Sequence, residues 1–220
     1  MFYHEIEKEV KFSTINWRIY AMIQMGVLQR IGRGKFTLGA ERNYFPEISP
    51  KMKSIYSRVK RDFPYIDICI WNTSSLNEFM IHQPFKFYYM LELDKEATNS
   101  IFYFLKELNF YVFLDPTMDI LEKYMPDNKD VIIIKSLISE APLISIKGIK
   151  TASIEKMLVD IFCDDVLFSA QQGSEMRTIF ETAFTKYTVN QSKMLRYANR
   201  RRKKESFNEF INTISNLRQQ

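Results

Sequence analysis

Apolar positions in the first forty residues follow one period and then another. Phe2, Tyr3, Ile6 and Val10 recur at near-helical spacing, as do Ile15, Ile19, Met22 and Ile23, so two amphipathic helices are predicted, at 2–10 and 14–24. Ser13 or Thr14 is placed to cap the second, and Gly26 to end it. Val27 to Ile31 and Lys35 to Leu38 then alternate about Gly32-Arg33-Gly34, the pattern of two short strands and a tight turn. Helix, helix, hairpin is the core order of a winged helix-turn-helix, assigned to residues 1–43.

Beyond a linker at 41–49, Ser49-Pro50 has the cap and first-turn residues of a new helix. Strands are predicted at 66–71, 86–93, 110–114, 130–135 and 143–146. Between them lie a short helix opened by Ser75-Leu76-Asn77-Glu78, a helix at 97–108 and another from Asp115-Pro116. From Thr151 onward the pattern is helical throughout: Ile154, Met157, Leu158, Ile161 and Phe162 share one face, and helices are predicted at 176–187, 191–202 and 205–217. The fold class is therefore α/β (α+β), with an N-terminal winged helix-turn-helix followed by an α/β domain over 44–220 whose 151–220 portion is a helical subdomain.

Charge sharpens this division. Residues 1–43 hold seven Lys/Arg against four Asp/Glu, 186–204 hold eight Lys/Arg and no acid, and 44–185 hold fifteen against twenty. Two basic ends flank an acidic middle, and a polyanion is drawn to the ends. In a winged helix the second helix presents its early residues to base edges while the hairpin rests on the backbone. Ser13 and Thr14 suit phosphate or base, Asn16 suits adenine, Arg18 suits guanine, and Arg30, Arg33 and Lys35 charge the hairpin. Trp17 and Tyr20 are expected to pack. A second basic surface is formed by Lys193, Arg196, Arg200, Arg201, Arg202, Lys203 and Lys204, suited to phosphates or to an acidic protein.

Enzymatic signals are sparse, so no catalytic residue, metal or cofactor is assigned. His4 and His82 lack a second ligand at metal spacing, and Cys69 and Cys163 sit among apolar neighbours as free core thiols. The alternative is a metal-dependent nuclease or nucleotidyltransferase-like enzyme using Asp67, Glu92 and Asp94, although Glu92-Leu93-Asp94-Lys95 misses the nuclease spacing by one position and no paired acids follow Gly173-Ser174. Asp160, Asp164 and Asp165 are read as a solvated loop at a helix end. No apolar run approaches a membrane span and no signal segment opens the chain, so a cytoplasmic protein without a membrane partner is expected.

Ser13 to Tyr20, Gly26-Val27-Leu28, Arg30 to Phe36 and the later block Ala152-Ser153-Ile154-Glu155-Lys156-Met157-Leu158-Val159-Asp160 resemble AbiEi-type antitoxins of type IV toxin–antitoxin systems. The resemblance implies a bacterial autorepressor that binds its own operator through the winged helix and opposes a cognate nucleotidyltransferase toxin, or that toxin's target, through the C-terminal part. It places Ser13, Thr14, Asn16, Arg18, Arg30 and Arg33 on the DNA. A palindromic operator implies a homo-oligomer or two copies bound side by side. A full winged helix has three helices before the hairpin, whereas one short segment precedes the recognition helix. Either the first helix is missing or Met1 is not the natural start.

Overall fold

A computed structural model describes residues 12–25, 27–39, 42–126 and 129–217. The predicted helix at 2–10 and the terminator Gly26 lie outside the described residues. Helix α1 (Phe12–Gln24) leads into an antiparallel hairpin of β1 (Leu28–Gly32) and β2 (Lys35–Leu38), with a register shift between Arg30 and Gly32 and Gly34 at positive φ in the turn. Residues 42–49, without regular secondary structure, lead to α2 (Pro50–Asp62), where Ser49 accepts from the Met52 amide at 3.2 Å and Pro50 opens the first turn, as predicted.

A four-stranded mixed sheet follows, built from β3 (Ile68–Asn72), β4 (Tyr88–Leu93), β5 (Tyr111–Leu114) and β6 (Val131–Ser136) in the order β3-β4-β6-β5. β3 is antiparallel to β4, while β4, β6 and β5 are parallel. Parallel neighbours require crossovers, supplied by α3 (Thr98–Glu107) and α4 (Met118–Tyr124). The period-two geometry of a strand sends Ile68 and Ile70 to one face and Cys69 and Trp71 to the other. The first face is covered by α2 and α3, the second by α4 and the C-terminal helices. Burial on both faces explains the unbroken Val131-Ile132-Ile133-Ile134 run.

Strand β7 (Leu143–Ile146) pairs with β8 (Ile149–Ala152), a strand where the sequence predicts the onset of helix; Lys147 and Gly148 turn between them with positive φ. β8 runs beside β3, tied by Lys150 to Asp67 at 2.5 Å. Four α-helices follow among the described residues: α5 (Ile154–Cys163), α6 (Ser174–Lys186), α7 (Gln191–Arg200) and α8 (Lys204–Leu217). Every residue from Ile154 to Ile161 is buried, so α5 is the central rod of this layer and not the one-sided helix its apolar spacing predicts. Phe162, Phe180, Phe207 and Phe210 join α5, α6 and α8, with ring centroids as close as 4.9 Å. The fold is α+β, and among the described residues no helix is long and apolar enough to cross a membrane.

Candidate nucleic-acid interface

Ser13 and Thr14 lie inside α1 (Phe12–Gln24), not before it as caps. Its exposed face carries Ser13, Asn16, Trp17, Tyr20 and Gln24, with Trp17 69% and Tyr20 60% exposed; neither aromatic packs as predicted. Arg18 falls on the opposite, half-buried side with Thr14, Ile15, Ile19 and Met22, because a residue two positions from Asn16 is turned some 200° away from it around the helix. The outward set is thus Ser13, Asn16 and Gln24 with three aromatics, Phe12, Trp17 and Tyr20, and Arg18 is not on it.

The hairpin is not a free wing. Arg33 donates its backbone N–H to Ser192 Oγ at 3.0 Å, and Lys35 Nζ approaches Gln191 Oε1 at 3.5 Å, so the tip lies on the first turn of α7. Lower down, Thr188 donates its N–H to the Arg42 carbonyl at 2.9 Å, accepts the Arg42 N–H on its hydroxyl at 3.1 Å, and donates that hydroxyl to Gln29. Tyr44, in the predicted linker, packs edge-on against Tyr187 with centroids 5.1 Å apart. Arg30, Arg33 and Lys35 remain exposed.

Docking brings the two basic ends of the chain together. Arg30 shares a cleft of about 760 Å³ with Lys193 and Arg196. Lys193, Arg196 and Arg200 recur at i, i+3 and i+7 on the outer face of α7, while Met194, Tyr197 and Ala198 are buried on its inner face. Arg196 and Arg200 both reach Glu140, the former at 3.5 Å. Such half-exposed bridges contribute about 0–1 kcal/mol and are screened by salt. Arg202, Lys203 and Lys204 are exposed around the turn into α8. Arg201 leaves this predicted surface: it points inward, 2.8 Å from Asp160.

That inward ion pair belongs to a buried network that the sequence conceals. Lys156 Nζ contacts Glu92 Oε1 at 2.5 Å and also Asp160; Trp71 Nε1 donates to Glu92 Oε1 at 2.9 Å, and Tyr197 Oη to Asp160 Oδ1 at 2.9 Å. Burial opposes charge on Lys156, but Asp160 and Glu92 outweigh it and hold the ammonium well above its usual pKa, while burial raises the Tyr197 phenol. Lys135 lies beside them, 2.9 Å from Asp115 and 2.6 Å from Asp164. Glu92, Asp115, Lys135, Asp160, Asp164 and Arg201 line a cleft of about 210 Å³ at the carboxyl ends of the parallel strands, where open sheets often hold ligands. Here its carboxylates are taken up by cations of the same chain. Asp160 is buried and Asp164 half-buried, so of the predicted solvated trio only Asp165 is exposed. An i,i+4 Lys–Asp pair on a helix reads as a surface pair; eight consecutive buried positions make it internal.

The three acids of the enzymatic alternative do not meet. Glu92 faces the C-terminal layer with Trp71 and Lys156, whereas Asp94 accepts from the Asp67 amide at 2.9 Å and Asp67 is bridged to Lys150. Among the described residues no group of His, Cys, Asp or Glu forms a metal-holding set. His82 is exposed beside Glu175, at 3.3 Å.

Residues 14–217 match the family of unknown function DUF6577. The chain belongs to that family. No curated protein matches it. The DUF6577 match takes in almost all of α1, the hairpin, the sheet and all four C-terminal helices, the same span that the docking contacts of Thr188 and Ser192 hold together.

Proposed function

We propose that this protein is a DNA-binding autorepressor that reads its own operator through the outward face of α1, holds the backbone with the hairpin, and serves as an antitoxin against a nucleotidyltransferase toxin in the bacterial cytoplasm. One observation carries the DNA half: the hairpin tip lies on α7, so cations from both basic ends, Arg30 with Lys193 and Arg196, border one cleft. Clustered exposed cations beside a helix that presents Ser13 and Asn16 suit phosphate contact combined with base reading. The antitoxin half rests on the resemblance of residues 13–36 and 152–160 to AbiEi-type antitoxins.

The test is a salt-dependent titration against the DNA upstream of the protein's own gene, with scrambled duplex of equal length. The expected result is a preference of roughly a hundredfold or more, erased by Asn16→Ala, whereas Arg33→Ala weakens both duplexes alike. No binding to either duplex at low salt overturns it. The exposure of Trp17 and Tyr20 favours a second reading, stacking on single-stranded nucleic acid, in which a single strand outcompetes the duplex and Trp17→Ala is the damaging change. Co-expression with a cognate nucleotidyltransferase toxin tests the antitoxin half: unchanged toxicity rejects it.

A further inference from the structure

We infer that α7 is a second phosphate-gripping element, that its stripe Lys193, Arg196 and Arg200 holds the backbone of the same duplex as the hairpin, and that Glu140 is an internal competitor which the DNA displaces. The inference rests on the DNA-binding reading above.

Geometry selects these residues from the longer basic run. The stripe faces outward because Met194, Tyr197 and Ala198 fix the other side of α7 in the core, and Asn190 caps the helix by accepting from the Lys193 amide at 3.1 Å. Arg201 is turned inward onto Asp160 and contributes nothing to the stripe. At a rise of about 1.5 Å per residue the stripe is ~10 Å long. Successive phosphates of one strand rise ~3.4 Å along the duplex axis and lie farther apart along the strand itself, so three cations over this length face two or three neighbouring phosphates. Its near end adjoins the hairpin through the Arg33–Ser192 and Lys35–Gln191 contacts, so a backbone lying on the hairpin continues onto α7.

The acidic groups of the cleft divide cleanly. Glu155 is buried and committed to the fold, accepting from the Ser153 hydroxyl at 2.6 Å and the Asn190 amide at 3.1 Å. Glu140 is half-exposed, stands at positive φ on the turn before β7, and spans Arg196 and Arg200. A phosphodiester offers those guanidiniums the same acceptor geometry with more charge around it, so the two anions compete for one pair of arginines. The continuity with the hairpin is what favours a nucleic acid over an acidic protein surface.

The experiment is a set of titrations over a range of salt with the full chain, using its own upstream duplex. Each phosphate contact contributes about 0.9 to the slope of log affinity against log salt, so Lys193→Ala/Arg196→Ala/Arg200→Ala is expected to flatten that slope by roughly 2–3. Glu140→Gln is expected to raise affinity about threefold to tenfold at low salt, a gain that misfolding cannot produce, and Arg196→Lys/Arg200→Lys is expected to retain the slope. Wild-type slope and affinity in the triple variant, or no gain with Glu140→Gln, overturns the inference while leaving the hairpin reading intact if Arg33→Ala still weakens binding. A wild-type protein that binds no duplex overturns both.

Discussion

Ser192 Oγ lies 3.0 Å from the point where a Cβ on Gly32 would stand, and the same oxygen accepts the N–H of Arg33. The close approach of hairpin to α7 therefore depends on a missing side chain as much as on a hydrogen bond. Gly32→Val is expected to lift the tip from α7 and to cost about 1 kcal/mol for the lost bond. Hydrogen exchange of 28–38 should accelerate with little change in the sheet; unchanged protection of the hairpin would show that Thr188 alone holds it.

The buried network responds differently to losing the Lys156 ammonium alone and to losing it together with both carboxylates it contacts. Lys156→Met leaves Glu92 and Asp160 with less compensation in the interior and is expected to cost about 3–5 kcal/mol in urea unfolding. Adding Glu92→Gln and Asp160→Asn to Lys156→Met should recover part of that loss, because no buried carboxylate is then left without a cation and the charge that remains, on Arg201, is the more exposed one. A triple variant no more stable than Lys156→Met would show that the hydrogen bonds from Trp71 and Tyr197, not the charges, dominate.

The same network marks where sequence reading stops. Strands at 68–72, 88–93, 111–114, 131–136 and 143–146 lie within two residues of the predicted ranges, because period-two alternation and apolar runs are local signals. β8 was hidden because four residues containing Lys150 and Thr151 abut a helix, and the turn that defines them uses positive φ at Lys147 and Gly148. The Ser75–Glu78 capping signal was also misleading: the short 3-10 helix runs Thr73–Phe79 and is capped by Asn72, which accepts from Ser74 at 2.8 Å. The inward turn of Arg201 and the burial of Lys156 depend on Asp160 and Glu92, and Glu92 is 64 positions away from Lys156. In the candidate interface the basic residues are legible but their union is not, since it needs Gly32 against Ser192, and residue type alone does not show that Arg18 falls on the half-buried side of α1.

Both thiols are expected to be sluggish toward iodoacetamide in the folded protein. Burial pushes Cys163 up to about 11, and Cys69, wholly buried, well above its ordinary value. Against an ordinary thiol near ~8.5, Cys163 should hold roughly a hundredfold less thiolate at pH 8. A raised pKa adds stability that is complete below the ordinary thiol value and is lost as pH climbs through the folded one. Alkaline weakening is thus expected from about pH 9 upward. Rapid labelling of native protein at pH 8 would contradict this.

Glu175 ties the start of α6 to residues 81–82, accepting from the Ile81 amide at 2.7 Å and the His82 amide at 3.3 Å. Burial raises its pKa, but these amides and the His82 ring outweigh burial and lower it below the usual range. A lowered pKa stabilises above the unfolded value of about 4.3 and ceases to as pH falls through the folded one. Glu175→Gln is therefore expected to lose roughly 1 kcal/mol at pH 7, with the difference from wild type shrinking below about pH 4. A pH-independent difference would assign Glu175 a packing role instead.

Helix α7 has two working sides. Its outer side carries Lys193, Arg196 and Arg200; its inner side plants Tyr197 on Asp160, whose partner Lys156 reaches Glu92 at the carboxyl end of β4. Pinned in this way, the outer cations stand where the buried Asp160 contact sets them, so the polar interior and the basic surface share one scaffold.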